Sequence, residues 1–214
     1  MEVVYLGHSA FKIKGKEVTI VTDPYDKYIG FLMPKTEAQI VTISHNHKDH
    51  NSLERIIGEP FVINGPGEYE VKGVSVFGIN SFHDKEERRK NTIYVIEIDG
   101  IRICHLGDLG HKLSDGQLEE VNGVDILFIP VGGIYTIGPK AAVEVVEQIQ
   151  PSLVIPMHFK TERHAQESFA KVFGVRSFLE EIGAEGVEPQ DKLKIANREQ
   201  IPEEREVVLL KHRE

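Results

Sequence analysis

Apolar positions in this chain come mostly in short runs, and the spacing inside each run separates strands from helices. Val3–Leu6, Ala10–Ile13 and Glu17–Val21 are apolar or β-branched stretches broken by Gly7 and by Lys14-Gly15-Lys16, which predicts a hairpin. Asp23-Pro24 ends that pattern, because the residue before a proline is pushed out of the helical region. Gln39–Ile43 is a compact run followed at once by polar residues and reads as a buried strand. Ser52–Ile57 predicts a short helix capped by Ser52. The pattern turns β-rich again at Phe61–Asn64, Tyr69–Val71, Val74–Ile79, Thr92–Ile98 and Ile101–Leu106, and Asp99-Gly100 is the strongest hairpin signal in the chain. Later stretches predict a strand at Asp125–Pro130, a helix at Pro139–Ile149 opened by proline, and a strand at Leu153–Pro156. Helical periodicity runs over His164–Ile182 through Phe169, Val172, Phe173, Phe178, Leu179 and Ile182. Short strands at Lys192–Ile195 and Glu206–Leu210 follow. No repeat or long linker interrupts this order, so residues 1–214 read as one α/β domain.

Composition narrows the function classes. With 25 Lys+Arg against 34 Asp+Glu the net charge is −9, which argues against a whole-surface grip on nucleic acid. No apolar run approaches the ~18–20 residues that span a bilayer, so no membrane role is expected. The N-terminus lacks the features of a signal peptide. A single cysteine excludes an intramolecular disulfide framework and a thiolate-rich metal site, which points to a reducing, cytoplasmic setting. The pattern leaves oligomeric state open, homo-oligomers included. What remains unusual is ten histidines beside one cysteine.

Three of those histidines fall in Ser44-His45-Asn-His47-Lys-Asp49-His50, directly after the strand at residues 39–43. In an extended stretch, residues two apart project to one side, so His45 and His47 can converge on one ion. A turn after them would swing Asp49 and His50 to a neighbouring point. His83, Asp108 and His158 each follow the end of another apolar run, as expected where strands deliver polar residues to one rim. Imidazole and carboxylate suit zinc, manganese or iron without choosing among them.

The run His45-x-His47-x-Asp49-His50 resembles the signature of the metallo-β-lactamase superfamily. His83, Asp108 in Leu106-Gly-Asp-Leu-Gly110 and His158 in Pro156-Met-His158 stand in the order of that family's remaining metal motifs, and Thr22-Asp23-Pro24 matches its early strand-end aspartate. Gly7-His8-Ser9 and Pro130-Val-Gly-Gly-Ile-Tyr-Thr136 resemble more specifically a branch similar to ascorbate-6-phosphate lactonase. The resemblance spans about Val3 to His158. It implies a four-layer αββα sandwich carrying two divalent ions. His45, His47 and His83 would hold the first ion, Asp49, His50 and His158 the second, and Asp108 would bridge them. A hydroxide shared by the ions would attack the substrate.

On the same resemblance, Asp23 would orient a metal-bound histidine. His8 would sit at the substrate mouth as a hydrogen-bond donor or acid, Asp49 would also orient the hydroxide, and Tyr135 and Thr136 would line the pocket. Asn46 and Lys48 are expected to face away from the metals, and His212 to be a solvated tail residue. His105 is expected to pack or to help fix the Asp108 turn. The charged run Asp84–Lys90 is expected either as a solvated loop or as a lid whose Arg88, Arg89 or Lys90 holds a phosphate. The implied activity is hydrolysis of a small, anionic ester, lactone or phosphoester. The alternatives are a phosphodiesterase or nuclease, a metallo-oxygenase, and a non-catalytic metal or ligand sensor on the same fold.

Overall fold

The computed structural model describes residues 1–83, 89–164 and 167–213. The first β-branched runs become β1 (Glu2–Gly7), β2 (Ala10–Lys14) and β3 (Thr19–Thr22), followed by β4 (Thr36–Glu37) and β5 (Ile40–Thr42). After β6 (Ile56–Ile57) and β7 (Phe61–Ile63), the chain enters a second sheet through β8 (Gly67–Val71), β9 (Val74–Phe82), β10 (Lys90–Ile98) and β11 (Ile101–His105). Then come α1 (Asp115–Val121), β12 (Ile126–Pro130), α2 (Pro139–Ile149), β13 (Leu153–Met157), α3 (Val175–Ile182), β14 (Leu193–Lys194) and β15 (Glu206–Val207). The sheet orders are β14-β1-β2-β3-β5-β7 and β15-β13-β12-β11-β10-β9-β8, with a small β4-β6 pair outside them.

The period-two alternation of the strands explains the layering. In β1, Val3 and Tyr5 join one apolar cluster, whereas Val4 and Leu6 join another on the opposite face. The first cluster is the core between the sheets, where Phe11 of β2 stacks on Phe128 of β12 at a centroid distance of 4.0 Å. Burying each such ring contributes roughly 1.5–3 kcal/mol. Helices α1 and α2 connect the parallel strands β11, β12 and β13, and Val145, Val146 and Ile149 of α2 with Phe178 and Leu179 of α3 extend the same cluster. The outer face of the first sheet is covered by Tyr25, Ile29, Met33, Phe169 and Val172, from loops and 3-10 turns. The architecture is therefore the expected α/β sandwich. No helix among the described residues is long and apolar enough to cross a membrane.

Strand direction positions the site. β2 runs antiparallel to both β1 and β3, and β5 parallel to β3, so β1, β3 and β5 all point the same way. By the same counting β9, β11 and β13 share one direction. His8, Asp23, the residue 44–50 run, His83, Asp108 and His158 all lie just beyond the C-terminal ends of these six strands.

Three local expectations fail, and one element forms where none was expected, each for an identifiable reason. Ser52–Ile57 forms no helix: Ser52 N–H donates to Pro24 O at 2.8 Å, and Ile56–Ile57 pair in parallel with Thr36–Glu37. Among the described residues the periodic stretch from His164 is α-helical only from Val175, after a 3-10 turn at Glu167–Phe169 and Gly174 at the N-cap. The residue 115–121 helix was missed, although Ser114 and Gln117 form a capping box there. The Asp99-Gly100 hairpin is present, with φ of 55° and 78° as a type I′ turn requires. His212 is not solvated: its ring packs 4.8 Å from Phe31, and any side chain at Gly7 would collide with it.

Candidate metal centre

The loops that carry the site are tightly held. His8, Asp23 and His158 adopt left-handed backbone conformations, with φ of 55°, 38° and 50°. Such conformations cost of order 1–3 kcal/mol in non-glycine residues and persist only where the surroundings impose them. Two of these turns brace each other, since His158 N–H donates to His8 O at 2.8 Å. Gly132 lets its own loop lie against the 158 turn, because a Cβ there would lie 2.1 Å from His158 O.

All seven expected metal ligands come together. One carboxylate oxygen, Asp108 Oδ2, faces Nε2 of His83 at 3.0 Å, of His50 and His158 at 3.3 Å each, and of His45 at 3.7 Å. His45 Nε2 lies 3.0 Å from His47 Nδ1, and His50 Nε2 lies 3.9 Å from Asp49 Oδ2. Among the described residues, the donor atoms form one group from His45, His47 and His83 and another from His8, Asp49, His50 and His158; each group lies within 4.8 Å. His45, His50 and Asp108 form a third group that overlaps both.

These residues fit divalent metal. Four imidazoles cannot all donate to one oxygen, and Asp108 Oδ1 and His50 Nε2 are buried with no hydrogen-bond partner. Buried polar atoms are normally satisfied, so orphaned donor atoms aimed at a common point mark a place for cations. The set is imidazole and carboxylate only, since Cys104 is buried in the core between the sheets.

The surroundings aim the donors. Asp23 accepts from Ser44 N–H at 2.7 Å, Ser44 O–H at 2.6 Å and His50 Nδ1 at 2.8 Å, which leaves His50 Nε2 bare. Ser44 Oγ spends its proton on Asp23 and so accepts from His45 Nδ1 at 2.9 Å, which turns His45 Nε2 towards His47 Nδ1, 3.0 Å away, and Asp108. One buried carboxylate thereby orients a histidine of each group. Asn91 Oδ1 accepts from Asp108 N–H at 3.0 Å, and His105 joins Ser9 O at 2.8 Å to Gly107 N–H at 3.1 Å. Ser44 and Asn91 escaped the sequence reading. Ser44 had a signal in its place directly before the histidine run, whereas Asn91 sits on β10 and meets Asp108 only across the sheet.

The electrostatics follow from burial and crowding. Burial, helped by neighbouring His158, holds the His8 imidazole down at about 3. Burial and His50 do the same to His45, also to about 3. Burial opposes charge on His50 as well, but Asp108 and Asp49 outweigh it and raise its pKa well above the ordinary imidazole value. Burial works against ionisation of Asp108 too, yet His158 and His50 keep its carboxyl well below the usual carboxylate range.

The centre opens into a cavity of about 440 Å³ lined by His47, Asp49, His83, Asp108 and His158 at its base. Tyr28, Tyr135 and Phe169 supply apolar wall, and Asn46, Lys48 and Arg89 supply polar and cationic groups. Asn46 and Lys48 are exposed and border the cavity, and neither belongs to a donor group, as expected of residues that face away from the metals. Tyr135 lines the cavity as expected. Thr136 does not; its hydroxyl donates to Ile137 O at 3.1 Å. His8 is 1 % exposed and lies behind Asp49 rather than at the mouth. Arg89 is at the cavity wall, while residues 84–88 of the expected lid lie outside the described residues.

Comparison with known proteins agrees with this geometry. The model of the beta-lactamase superfamily domain matches residues 2–158. A UPF0173 metal-dependent hydrolase of Thermococcus onnurineus is 31% identical, over 75% of this chain and 85% of that protein. A second one, from Archaeoglobus fulgidus, is 25% identical over 75% and 84%. A crystal structure from Thermotoga maritima, of a candidate Zn-dependent hydrolase of the metallo-beta-lactamase superfamily, superposes with a TM-score of 0.81 at 38% identity, over 98% of this chain and 97% of that one. A metallo hydrolase from Ignicoccus hospitalis shares the fold at 19% identity, with a TM-score of 0.61 over 91% and 98% of the two chains.

Proposed function

The chain belongs to the beta-lactamase superfamily of metal-dependent hydrolases, and from that premise we propose that it works with two divalent ions on a small anionic ester, lactone or phosphoester. The observation that carries this reading is the gathering of four imidazole nitrogens around Asp108 Oδ2, 3.0 to 3.7 Å away, at the base of a cavity with cationic walls. His45, His47 and His83 would hold one ion, Asp49, His50 and His158 the other, and Asp108 both. Zinc, manganese and iron all suit that donor set. Bound there, such ions supply Lewis acidity and lower the pKa of a coordinated water from 15.7 to roughly 7.

The protein's own groups do the rest. Asp23 and Ser44 hold the outer nitrogens of His50 and His45, so that Nε2 of each ring points inward at the ion it would bind. Asp49, at the cavity base, would orient the attacking water as well as ligate. Lys48 and Arg89 attract a negatively charged group, and Tyr28 and Tyr135 flank its apolar part. A cavity of about 440 Å³ suits a small molecule, near the lower end of the range for ligand pockets. The net charge of −9 still weighs against a long polyanion as substrate.

Elemental analysis of the purified protein, coupled to a panel of chromogenic esters, lactones and phosphodiesters with and without chelator, tests the proposal. Two ions per chain and chelator-sensitive turnover of small anionic substrates are expected. Metal binding with no turnover across the panel would instead make the protein a sensor, and turnover confined to polynucleotides would make it a nuclease.

A further inference from the structure

We infer that His8 is an additional ligand on the Asp49, His50 and His158 side of the centre; this rests on the two-ion reading above. His8 Nε2 lies 3.4 Å from Asp49 Oδ2, and its donor atom belongs with those of Asp49, His50 and His158 to a group no wider than 4.8 Å. A hydrogen bond to a charged carboxylate would be shorter, at about 2.7–2.9 Å. Two ligands on one ion with bonds of 2.0–2.1 Å and an angle of about 90–120° are separated by about 2.9–3.6 Å, which includes the spacing seen here. The His50–Asp108 and His158–Asp108 separations, both 3.3 Å, have the same character.

The surroundings of His8 point the same way. Both its ring nitrogens are buried without a hydrogen-bond partner, a costly state for an imidazole that only packs. Its left-handed backbone is pinned through its carbonyl, which accepts from Tyr5 O–H at 2.8 Å and His158 N–H at 2.8 Å. So held, the ring stands 4.2 Å from that of His158 and 5.0 Å from that of His50, centroid to centroid. It does not line the cavity, so it is out of reach of a leaving group.

His8 makes the centre asymmetric. With Asp108 counted, its side has five donors, His8, Asp49, His50, His158 and Asp108, which already fills the five-coordinate limit for zinc. The other side has His45, His47 and His83 with Asp108. A catalytic ion needs an open position, so substrate would be directed to the three-histidine side, where His47 and His83 line the cavity.

The test is metal titration of the apoprotein, by competition with a chromogenic zinc chelator, for wild type, His8→Asn and His8→Gln. Asparagine tolerates the left-handed backbone, so His8→Asn should fold. One of the two zinc dissociation constants is expected to rise at least about tenfold, with the other within twofold of wild type. His8→Gln, which keeps a hydrogen-bond donor towards Asp49, is expected not to restore it. Zinc affinities unchanged in His8→Asn, or restored to wild type by His8→Gln, would overturn the inference and leave the two-ion centre standing. A wild-type chain that binds fewer than two ions would overturn both. The zinc-loaded crystal structure is an independent check: His8 Nε2 is expected about 2.0–2.1 Å from an ion, and a separation beyond bonding distance refutes its ligation.

Discussion

His50 at the rim and His105 between the sheets are equally buried, yet their rings do different work. His105 has both nitrogens engaged by backbone, Ser9 O at 2.8 Å and Gly107 N–H at 3.1 Å, and ties the His8 turn to the Asp108 turn. His50 has one nitrogen on Asp23 at 2.8 Å and the other bare, 3.3 Å from Asp108. Burial lowers the His105 pKa despite the opposing pull of Asp23 and Ser9 O, whereas at His50 Asp108 and Asp49 overcome burial and raise it. Burial alone therefore does not separate a strut from a ligand. An unsatisfied nitrogen aimed at other donors does.

The largest expected contrast comes from truncating each ring. His50→Ala should leave less than half the wild-type metal content and no chelator-sensitive turnover, measured by elemental analysis and the substrate panel. His105→Ala should instead strand Ser9 O and Gly107 N–H and destabilise the fold by about 1–3 kcal/mol in a denaturant melt, with metal stoichiometry retained. Loss of metal in His105→Ala with unchanged stability would break the comparison.

Next in size is Asp23→Asn. It keeps the shape but cannot accept from Ser44 N–H, Ser44 O–H and His50 together as a carboxylate does. Metal affinity should fall about 10–100-fold by titration, the usual cost of losing such a partner. An affinity within twofold of wild type would mean that the rings are aimed by packing alone.

Acid should expose the same distinction more gently. His45 and His164 are held by burial at about 3 and about 4, below the ordinary 6.5. An unfolded chain takes up protons there that the fold refuses, so the metal-free protein loses stability as pH falls from about 6.5 towards 4. The low carboxyl pKa values of Asp23, Asp49 and Asp108 act in the same direction at still lower pH, while the stabilisation from the raised His50 is already fully gained above this range and stays constant within it. Tm of the apoprotein should fall steadily over that range; a rise on acidification would contradict the assigned environments. The smallest effect concerns Cys104, whose thiol burial pushes up. It should resist alkylation at pH 8 in the folded protein and react on unfolding.

Much of the site was legible because the chemistry is local. His45, His47, Asp49 and His50 stand within six residues, and Asp108 and His158 each follow an apolar run that ends where a strand ends. The placement of His8 was not legible, because whether its ring meets solvent or Asp49 depends on the 158 turn bracing it from the other sheet. Among the elements, the 52–57 stretch carried helix signals that lost to Thr36–Glu37 as a strand partner.

By itself, the sequence determined the strand runs, the donor types, the family and the absence of thiolate, since periodicity, side-chain chemistry and a contiguous motif are properties of neighbouring residues. The family resemblance already implied Asp108 as the common point; only the tertiary structure decided that Asp23 and Ser44 would orient two histidines at once and that His8 would turn inward. Each of those contacts joins residues from different strands, and the shared direction of the six strands that end at this rim is what brings them together.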